Sequence, residues 1–348
     1  MKIAIAGYGI EGRASLNYWN SAENELTIVD ERDFIDELPD GVASLLGPDA
    51  FKKLHGFDLV IRTASLAPQK ILTDGKIWSA TNEFFEKCPA PIIGVTGTKG
   101  KGTTASLITS ILRAAGRTVH LVGNIGVSAI EVLPSITADD IVVYELSSFQ
   151  LWDIKKSPQA AVVLLIEPDH LNVHTDFDDY VNAKMNIRRF QSEDDICVYH
   201  PTNQYSKMIA KSTIKGIALR YAIPDDGGVY VKDEAFYKVE HRICSTNSLQ
   251  LIGQHNIENA CAAISVAKYY NISDDEIEEG LRDFKGLPHR IEFIRELNEV
   301  KYYNDSFSSY SSKRIITSIS IHHSTFLVFI PHAKTEISHN YIITTKAY

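Results

Sequence analysis

The sequence predicts an α/β protein built on parallel sheets, and three observations carry that prediction. Short apolar runs alternate with helix-length stretches along most of the chain, the rhythm of β-α-β units. Two glycine-rich turns, Gly7-Tyr8-Gly9-Ile10-Glu11-Gly12 and Gly97-Thr98-Lys99-Gly100-Lys101-Gly102-Thr103-Thr104, each sit between a strand-like run and a helix-like stretch. A hydrophobic content of 44% beside 23% charged residues suits a globular core rather than a disordered or fibrous chain.

The elements follow in order. Residues 2–6 read as a buried strand, residues 13–20 as a helix, and residues 26–29 as a second strand ending at Asp30. A third strand is expected at 58–61. Cys88-Pro89-Ala90-Pro91 reads as a linker, because two prolines in four residues resist both helix and central strand. Strands are then expected at 92–95, 119–122, 141–145, 161–166 and 196–199, with a helix from the second glycine turn to about residue 115. Helices at 256–270 and 274–284 close the pattern, the latter capped by Ser273. Three units result: a Rossmann-like domain over 1–89, a central P-loop ATPase-type parallel-sheet domain over 90–286, and a C-terminal unit over 287–348.

Bulk properties narrow the function. A formal net charge of -9, without a long Lys/Arg run, argues against nucleic acid as a partner. Four scattered cysteines without a CxxC motif read as reduced thiols, not a zinc site or a disulfide framework. The N-terminal apolar run meets Gly7 too early for a signal peptide, and no stretch approaches the roughly 18 apolar residues of a membrane span. A cytoplasmic protein, a monomer without membrane insertion, is expected.

The turn over residues 97–104 is the strongest chemical signal. Glycines let consecutive amides point inward at phosphate oxygens, and the following helix adds its positive end. Lys101 can then reach the β- and γ-phosphates of ATP, with a hydroxyl for Mg2+. A Walker loop carries Ser or Thr directly after its lysine. Here Gly102 stands there, and the hydroxyls come at Thr103 and Thr104. The first glycine turn, with Asp30 closing the next strand, fits a dinucleotide fingerprint, and taken alone that segment reads as an NAD-dependent dehydrogenase.

Taken together, these segments resemble the Mur ligase family. The loop at 97–104 is similar to the family's GTxGK loop, and its Gly102 variant also resembles the related folylpolyglutamate synthases. Gly123-Asn124-Ile125-Gly126, Glu145-Leu146-Ser147-Ser148-Phe149-Gln150-Leu151, Pro168-Asp169-His170, Ala183-Lys184, Gly253-Gln254-His255-Asn256, Gly286-Leu287-Pro288-His289-Arg290 and Asn304-Asp305-Ser306 follow in family order. They resemble most the branch that joins D-glutamate to UDP-N-acetylmuramoyl-L-alanine.

The resemblance implies an ATP-dependent amide ligase of peptidoglycan precursor synthesis, working through an acyl phosphate. It implies Lys101 on the phosphates, Thr103 and Glu145 on Mg2+, and His170 with a carbamylated Lys184 on a second metal. Residues 97–104 with Asn256, Asn259, Arg290 and Asp305 would hold ATP. Asn124 and Ser147 would meet the muramoyl-alanine substrate, and the N-terminal domain its UDP through Ile10, Glu11 and Arg32. Phe307 stands where this branch usually has a lysine.

After Ser309 the character changes. Residues 310–348 hold four of the twelve histidines and no aspartate or glycine, and they do not resemble the family. An incomplete C-terminal domain is expected, and with it a catalytically impaired nucleotide-binding remnant as the alternative to a working ligase.

Overall fold

The protein is described by a computed structural model over residues 1–304, except 125–126, 225–226 and 298–299. Its first sheet is formed by β1 (Lys2–Ala6), β2 (Glu25–Asp30), β3 (Ala43–Leu46), β4 (Leu59–Arg62) and β5 (Lys76–Ser79), all parallel, in the order β3-β2-β1-β4-β5. Helix α1 (Ile10–Trp19) follows β1, and α2 (Ala80–Lys87) follows β5. Helix α1 starts within the first glycine turn, three residues before the predicted start. Gly12 sits so close to the Gly7 carbonyl that a Cβ there would lie 2.0 Å from its oxygen, so the turn and the helix are one compact unit.

The second sheet starts directly after residues 88–91. It contains β6 (Ile92–Thr96), β7 (Val119–Gly123), β8 (Ile141–Glu145), β9 (Ala160–Val163), β10 (Ile196–Tyr199) and β11 (Ile217–Arg220) in the order β11-β10-β9-β6-β8-β7, again all parallel. Its helices are α3 (Lys101–Ala114), α4 (Ala129–Val132), α5 (Ser148–Leu151), α6 (Phe177–Arg189) and α7 (Gln204–Ala210). An antiparallel sheet of β12 (Val229–Lys232), β13 (Ala235–Lys238) and β14 (His241–Ser245) follows. Helices α8 (Gln254–Tyr269) and α9 (Asp274–Asp283) and the hairpin of β15 (Glu292–Leu297) and β16 (Val300–Asn304) complete the described chain.

Helix α9 begins as its sequence dictates. The Ser273 hydroxyl accepts from the Glu276 amide while the Glu276 side chain reaches back to the Ser273 amide, a full capping box. The strand expected at 161–166 ends at Val163, and residues 164–169 run on as the loop that backs the phosphate turn.

Two cores flank the second sheet. On one face, α3, α8 and α9 pack through Leu107, Ile111, Ile264 and Ile277 over Ile93, Val95 and Val143. The other face shares its core with the first sheet: Ile3, Ile5, Phe84 and Phe85 join Tyr144, Leu151 and Ile154 in one cluster. Tyr144 meets the Phe84 ring edge-on at 5.4 Å and stacks on Phe85 at 6.0 Å.

One polar interaction pierces this shared core. Arg62, at the end of β4, is fully buried. Its guanidinium forms a bidentate pair with Asp153, one arm at 2.9 Å, and donates to the carbonyls of Thr63, Ala64, Leu66 and Phe149. Every arm is thus satisfied, the condition under which a buried charge is tolerated. Removing one partner leaves a buried charge uncompensated, so Asp153→Ala is expected to cost about 3–5 kcal/mol in urea unfolding. A loss below about 1 kcal/mol would show that the carbonyls alone satisfy the guanidinium.

Candidate active site

Strands β6, β8 and β9 run side by side and end at one edge, with Val95 opposite Glu145 and Thr96 opposite Val163. Ligands of open α/β sheets bind beyond the carboxyl ends of the strands, and the candidate residues gather there. Gly100, in the left-handed region at φ 84°, turns the loop into α3. A Cβ at this position would lie 2.6 Å from the Asn259 side-chain oxygen, so α8 backs the loop directly.

Two lysines converge behind the loop. Lys101 Nζ donates to the Gly97 carbonyl at 3.0 Å and the Thr98 carbonyl at 3.2 Å. Lys184, on α6, donates to the same Gly97 carbonyl at 3.1 Å and to Thr96 Oγ1 at 3.2 Å. Burial pushes the Lys101 ammonium below its ordinary range, with Glu145 and Asp169 opposing. Lys184 is driven well below the usual lysine value by burial and then by the charge of Lys101. The Tyr180 ring, one helical turn back on α6, lies 4.7 Å from its Nζ.

Opposite them stands Glu145. Its side chain is buried, and Oε2 has no hydrogen-bond partner. Burial raises its pKa, while Lys101, Arg290, Lys184 and the Asn124 side chain pull it back. A buried carboxylate oxygen without a partner is costly unless something fills the place, and an oxygen-seeking cation does so. Among the described residues no cluster of three or more His, Cys, Asp or Glu forms a ready-made metal cage. Mg2+ takes one or two protein oxygens and draws the rest from phosphate and water, and Glu145 Oε2 is an oxygen of that kind.

His170 is half exposed and holds φ at 56°, a left-handed conformation uncommon for a residue with a Cβ. Its ring centroid lies 5.0 Å from that of Phe149. Ser147 caps α5 through a capping box with Gln150, whose Oε1 takes the Ser147 hydroxyl at 3.0 Å. Asn256 Nδ2 is bonded to the Ile252 carbonyl at 2.8 Å, and Asn259 Nδ2 reaches Asn256 Oδ1 at 3.3 Å. Arg290 is exposed and contributes to the electrostatics of both Glu145 and Lys101. Lys99 is exposed, Gly102 buried and Thr103 partly buried at the start of α3, while Thr104 Oγ1 is buried without a partner. Asp305 and Phe307 lie outside the described residues, as does the tail from residue 310.

Three expected ligand contacts have structural partners. The Thr98 amide donates to the Leu165 carbonyl at 2.8 Å, and its hydroxyl sits among the Glu167 backbone and Tyr180 OH at 2.9–3.0 Å. Thr98 therefore pins the loop to residues 165–167. Glu11 accepts from the Ala64 amide at 2.7 Å, tying α1 to the end of β4, and burial raises its pKa. Arg32 pairs bidentately with Asp30 at 2.8 and 2.9 Å and donates to the Tyr8 carbonyl. Asp30 also takes the Tyr8 amide, and despite burial the Arg32 and amide hydrogen bonds lower its pKa to about 2. The carboxylate that a dinucleotide site offers to a ribose is thus already committed, which weighs against the dehydrogenase reading. Ile10, by contrast, is 85% exposed beside this turn.

The sequence reading missed His174. It is buried between Ser148 and Asp179, four residues after His170. Only that spacing and the acidic residue five positions later hinted at it.

The chain is similar to known proteins. The Mur ligase middle domain matches residues 95–267. The UDP-N-acetylmuramoylalanine--D-glutamate ligase of Clostridium tetani is 36% identical over 323 residues, covering 88% of this chain and 70% of that protein. The enzyme of the same name from Clostridium acetobutylicum is 34% identical over 333 residues, covering 90% and 71%. Among solved structures, the UDP-N-acetylmuramate-alanine ligase MurC of Thermotoga maritima superposes with a TM-score of 0.52 at 17% identity, covering 88% of this chain and 74% of that one. MurF ligase from the same organism, solved with ADP, gives 0.52 at 16% identity, covering 88% and 68%. Those structures establish the shared fold. The chain belongs to the Mur ligase family. Within it, the similarity is to the members named for joining D-glutamate to UDP-N-acetylmuramoylalanine, about 70% of whose length it spans.

Proposed function

We propose that this chain is an ATP-dependent ligase that joins D-glutamate to UDP-N-acetylmuramoyl-L-alanine in peptidoglycan precursor synthesis. The observation that carries the reading is the convergence of Lys101 and Lys184 on one carbonyl, opposite a buried Glu145 with an unpartnered oxygen. A site with two amines and an unfilled carboxylate position is suited to polyphosphate with a divalent cation, and phosphoryl transfer depends mainly on positioning and charge neutralisation.

The chemistry proceeds in two steps. A carboxylate oxygen of the L-alanine moiety attacks the γ-phosphorus of ATP, and the bond to the bridging oxygen breaks to give ADP. The D-glutamate amine then attacks the acyl carbon, the new C–N bond forming as phosphate leaves with that carboxylate oxygen. Lys101 leaves its resting carbonyl contacts for the β- and γ-phosphates. Glu145 and Thr103 would hold Mg2+, which would supply charge neutralisation at the transferring phosphoryl group. Asn124, at the end of β7 and within reach of Glu145, orients the muramoyl-alanine carboxylate together with Ser147. Asn256, Asn259, Arg290 and Asp305 take the nucleotide.

Carbamylation of Lys184 fits its surroundings. Only the neutral amine attacks carbon dioxide, and burial beside Lys101 favours that form. The product is an anion, which would reverse the local charge and, with His170, hold a second metal. The N-terminal sheet, residues 1–89, holds the UDP at the edge where Ile10 is exposed, with Glu11 and Arg32 shaping the turn. The ATPase unit spans residues 90–286, and residues 287–348 belong to the C-terminal unit. Among the described residues no helix is long and apolar enough to cross a membrane, in keeping with work on a nucleotide-linked precursor in the cytoplasm.

The decisive assay measures phosphate release with ATP, UDP-N-acetylmuramoyl-L-alanine and D-glutamate, L-alanine or L-lysine as competing acceptors. Release that needs the nucleotide sugar, with product from D-glutamate alone, is expected, and Lys101→Ala should lower kcat by about 10²–10³-fold. Product with another acceptor, or ATP turnover indifferent to the nucleotide sugar, would refute the reading. For Lys184, a 13C signal from labelled bicarbonate is expected in a carbamate and absent in Lys184→Arg. An identical spectrum in the two proteins would rule out the modification.

A further inference from the structure

His174 is assigned no part by the ligase reading, yet its side chain is fully buried in the middle of the site's supporting structure. Its Nδ1 lies 2.9 Å from Asp179 Oδ2 and its Nε2 2.9 Å from Ser148 Oγ. Asp179 is fixed in turn by Trp152 Nε1 at 3.1 Å and the Thr175 amide at 3.3 Å. An ionised carboxylate only accepts, so the imidazole proton facing it sits on Nδ1, and Nε2 is the atom that shares a hydrogen bond with the Ser148 hydroxyl.

This Ser-His-Asp order matches a nucleophilic triad in connectivity, but Ser148 is 2% exposed and no acyl group reaches it. The surroundings point to a mechanical role. Phe149 stacks on the His174 ring at 5.4 Å and 11°, and Trp152 lies at 4.3 Å. Phe149 also meets the His170 ring at 5.0 Å, and its carbonyl takes a hydrogen bond from Arg62. The His174 amide donates to the His170 carbonyl at 3.0 Å, closing the turn that holds His170 in its left-handed conformation. Tyr180, edge-on to His174 at 5.3 Å, carries the contacts to Thr98 and Lys184.

We propose that His174 is a positioning residue: its bonds to Ser148 and Asp179, and its stack on Phe149, hold the His170 turn and the segment after Glu145 in fixed register beside the phosphate loop. What is being positioned rests on the ligase reading; the clamp itself does not. A clamp of this kind acts on the geometry of the reacting groups, and small misplacements there cost far more in kcat than in substrate binding.

The test uses the full chain with two variants: His174→Phe, which keeps a stacking ring but loses both hydrogen bonds, and Ser148→Ala, which leaves the imidazole in place. Hydrogen–deuterium exchange is followed in residues 145–151, 167–173 and α3, beside initial rates with ATP and the nucleotide sugar. Exchange is expected to rise about tenfold in the first two segments and stay at the wild-type level in α3. With turnover in the wild type, kcat falls about tenfold or more while both KM values move less than about threefold. Wild-type exchange in both segments, or unchanged kcat in folded variants, would overturn the clamp. If His174→Phe does not fold, Ser148→Ala decides. A wild-type chain without turnover that needs the nucleotide sugar would defeat the ligase reading, and the exchange pattern would still decide the clamp.

Discussion

The Gly97 carbonyl receives hydrogen bonds from two lysines, and the rest of the site follows from that shared acceptor. Two amines brought together in a buried setting repel when both are charged, and the cost falls on the more buried one. Lys184 is that one, and its pKa is driven down the further. On the proposed reading, the same burial that suppresses its charge keeps the amine in the neutral form that takes up carbon dioxide. Glu145 completes the logic from the other side, since its carboxylate is buried against the two lysines with one oxygen unmatched. On that reading, this site takes ligands that bring both phosphate oxygens and a cation.

This arrangement sits where two sheets are welded together. Arg62 ends a strand of the first sheet, yet its partners Asp153 and the Phe149 carbonyl belong to the turn that follows Glu145. Glu11 ties α1 to the loop directly after Arg62. On the proposed reading, with UDP on the first sheet and the reacting carboxylate at the second, the substrate needs a fixed span between them. The shared apolar core around Phe84, Phe85 and Tyr144 supplies rigidity, and Arg62 supplies register.

Much of this was legible in the sequence. The phosphate turn announces itself because only glycines at those positions allow the loop geometry, as the 2.6 Å approach of Asn259 to a Cβ at Gly100 shows. The Ser273 cap and the proline linker are local chemistry, read without knowledge of the fold. Strands β3 and β5 were not legible, because Ala43–Leu46 and Lys76–Ser79 are short edge strands with little buried surface to impose a pattern. The antiparallel sheet of β12 to β14 was hidden because its strands mix buried and exposed positions without a sustained apolar run. At the site, Glu11 and Arg32 are expected as UDP contacts, but their bonds to the Ala64 amide and the Tyr8 carbonyl form only once the sheet is assembled. His174 escaped notice because its meaning lies in contacts with Ser148, twenty-six residues away along the chain.

In the proposed reaction the L-alanine carboxylate is activated by phosphoryl transfer at the Lys101–Glu145 edge. The most direct measurement labels both oxygens of that carboxylate with 18O and examines the phosphate released during D-glutamate ligation by mass spectrometry. Each phosphate is predicted to carry one labelled oxygen, because the oxygen that attacks phosphorus leaves with it. Unlabelled phosphate accompanying amide formation would contradict the account.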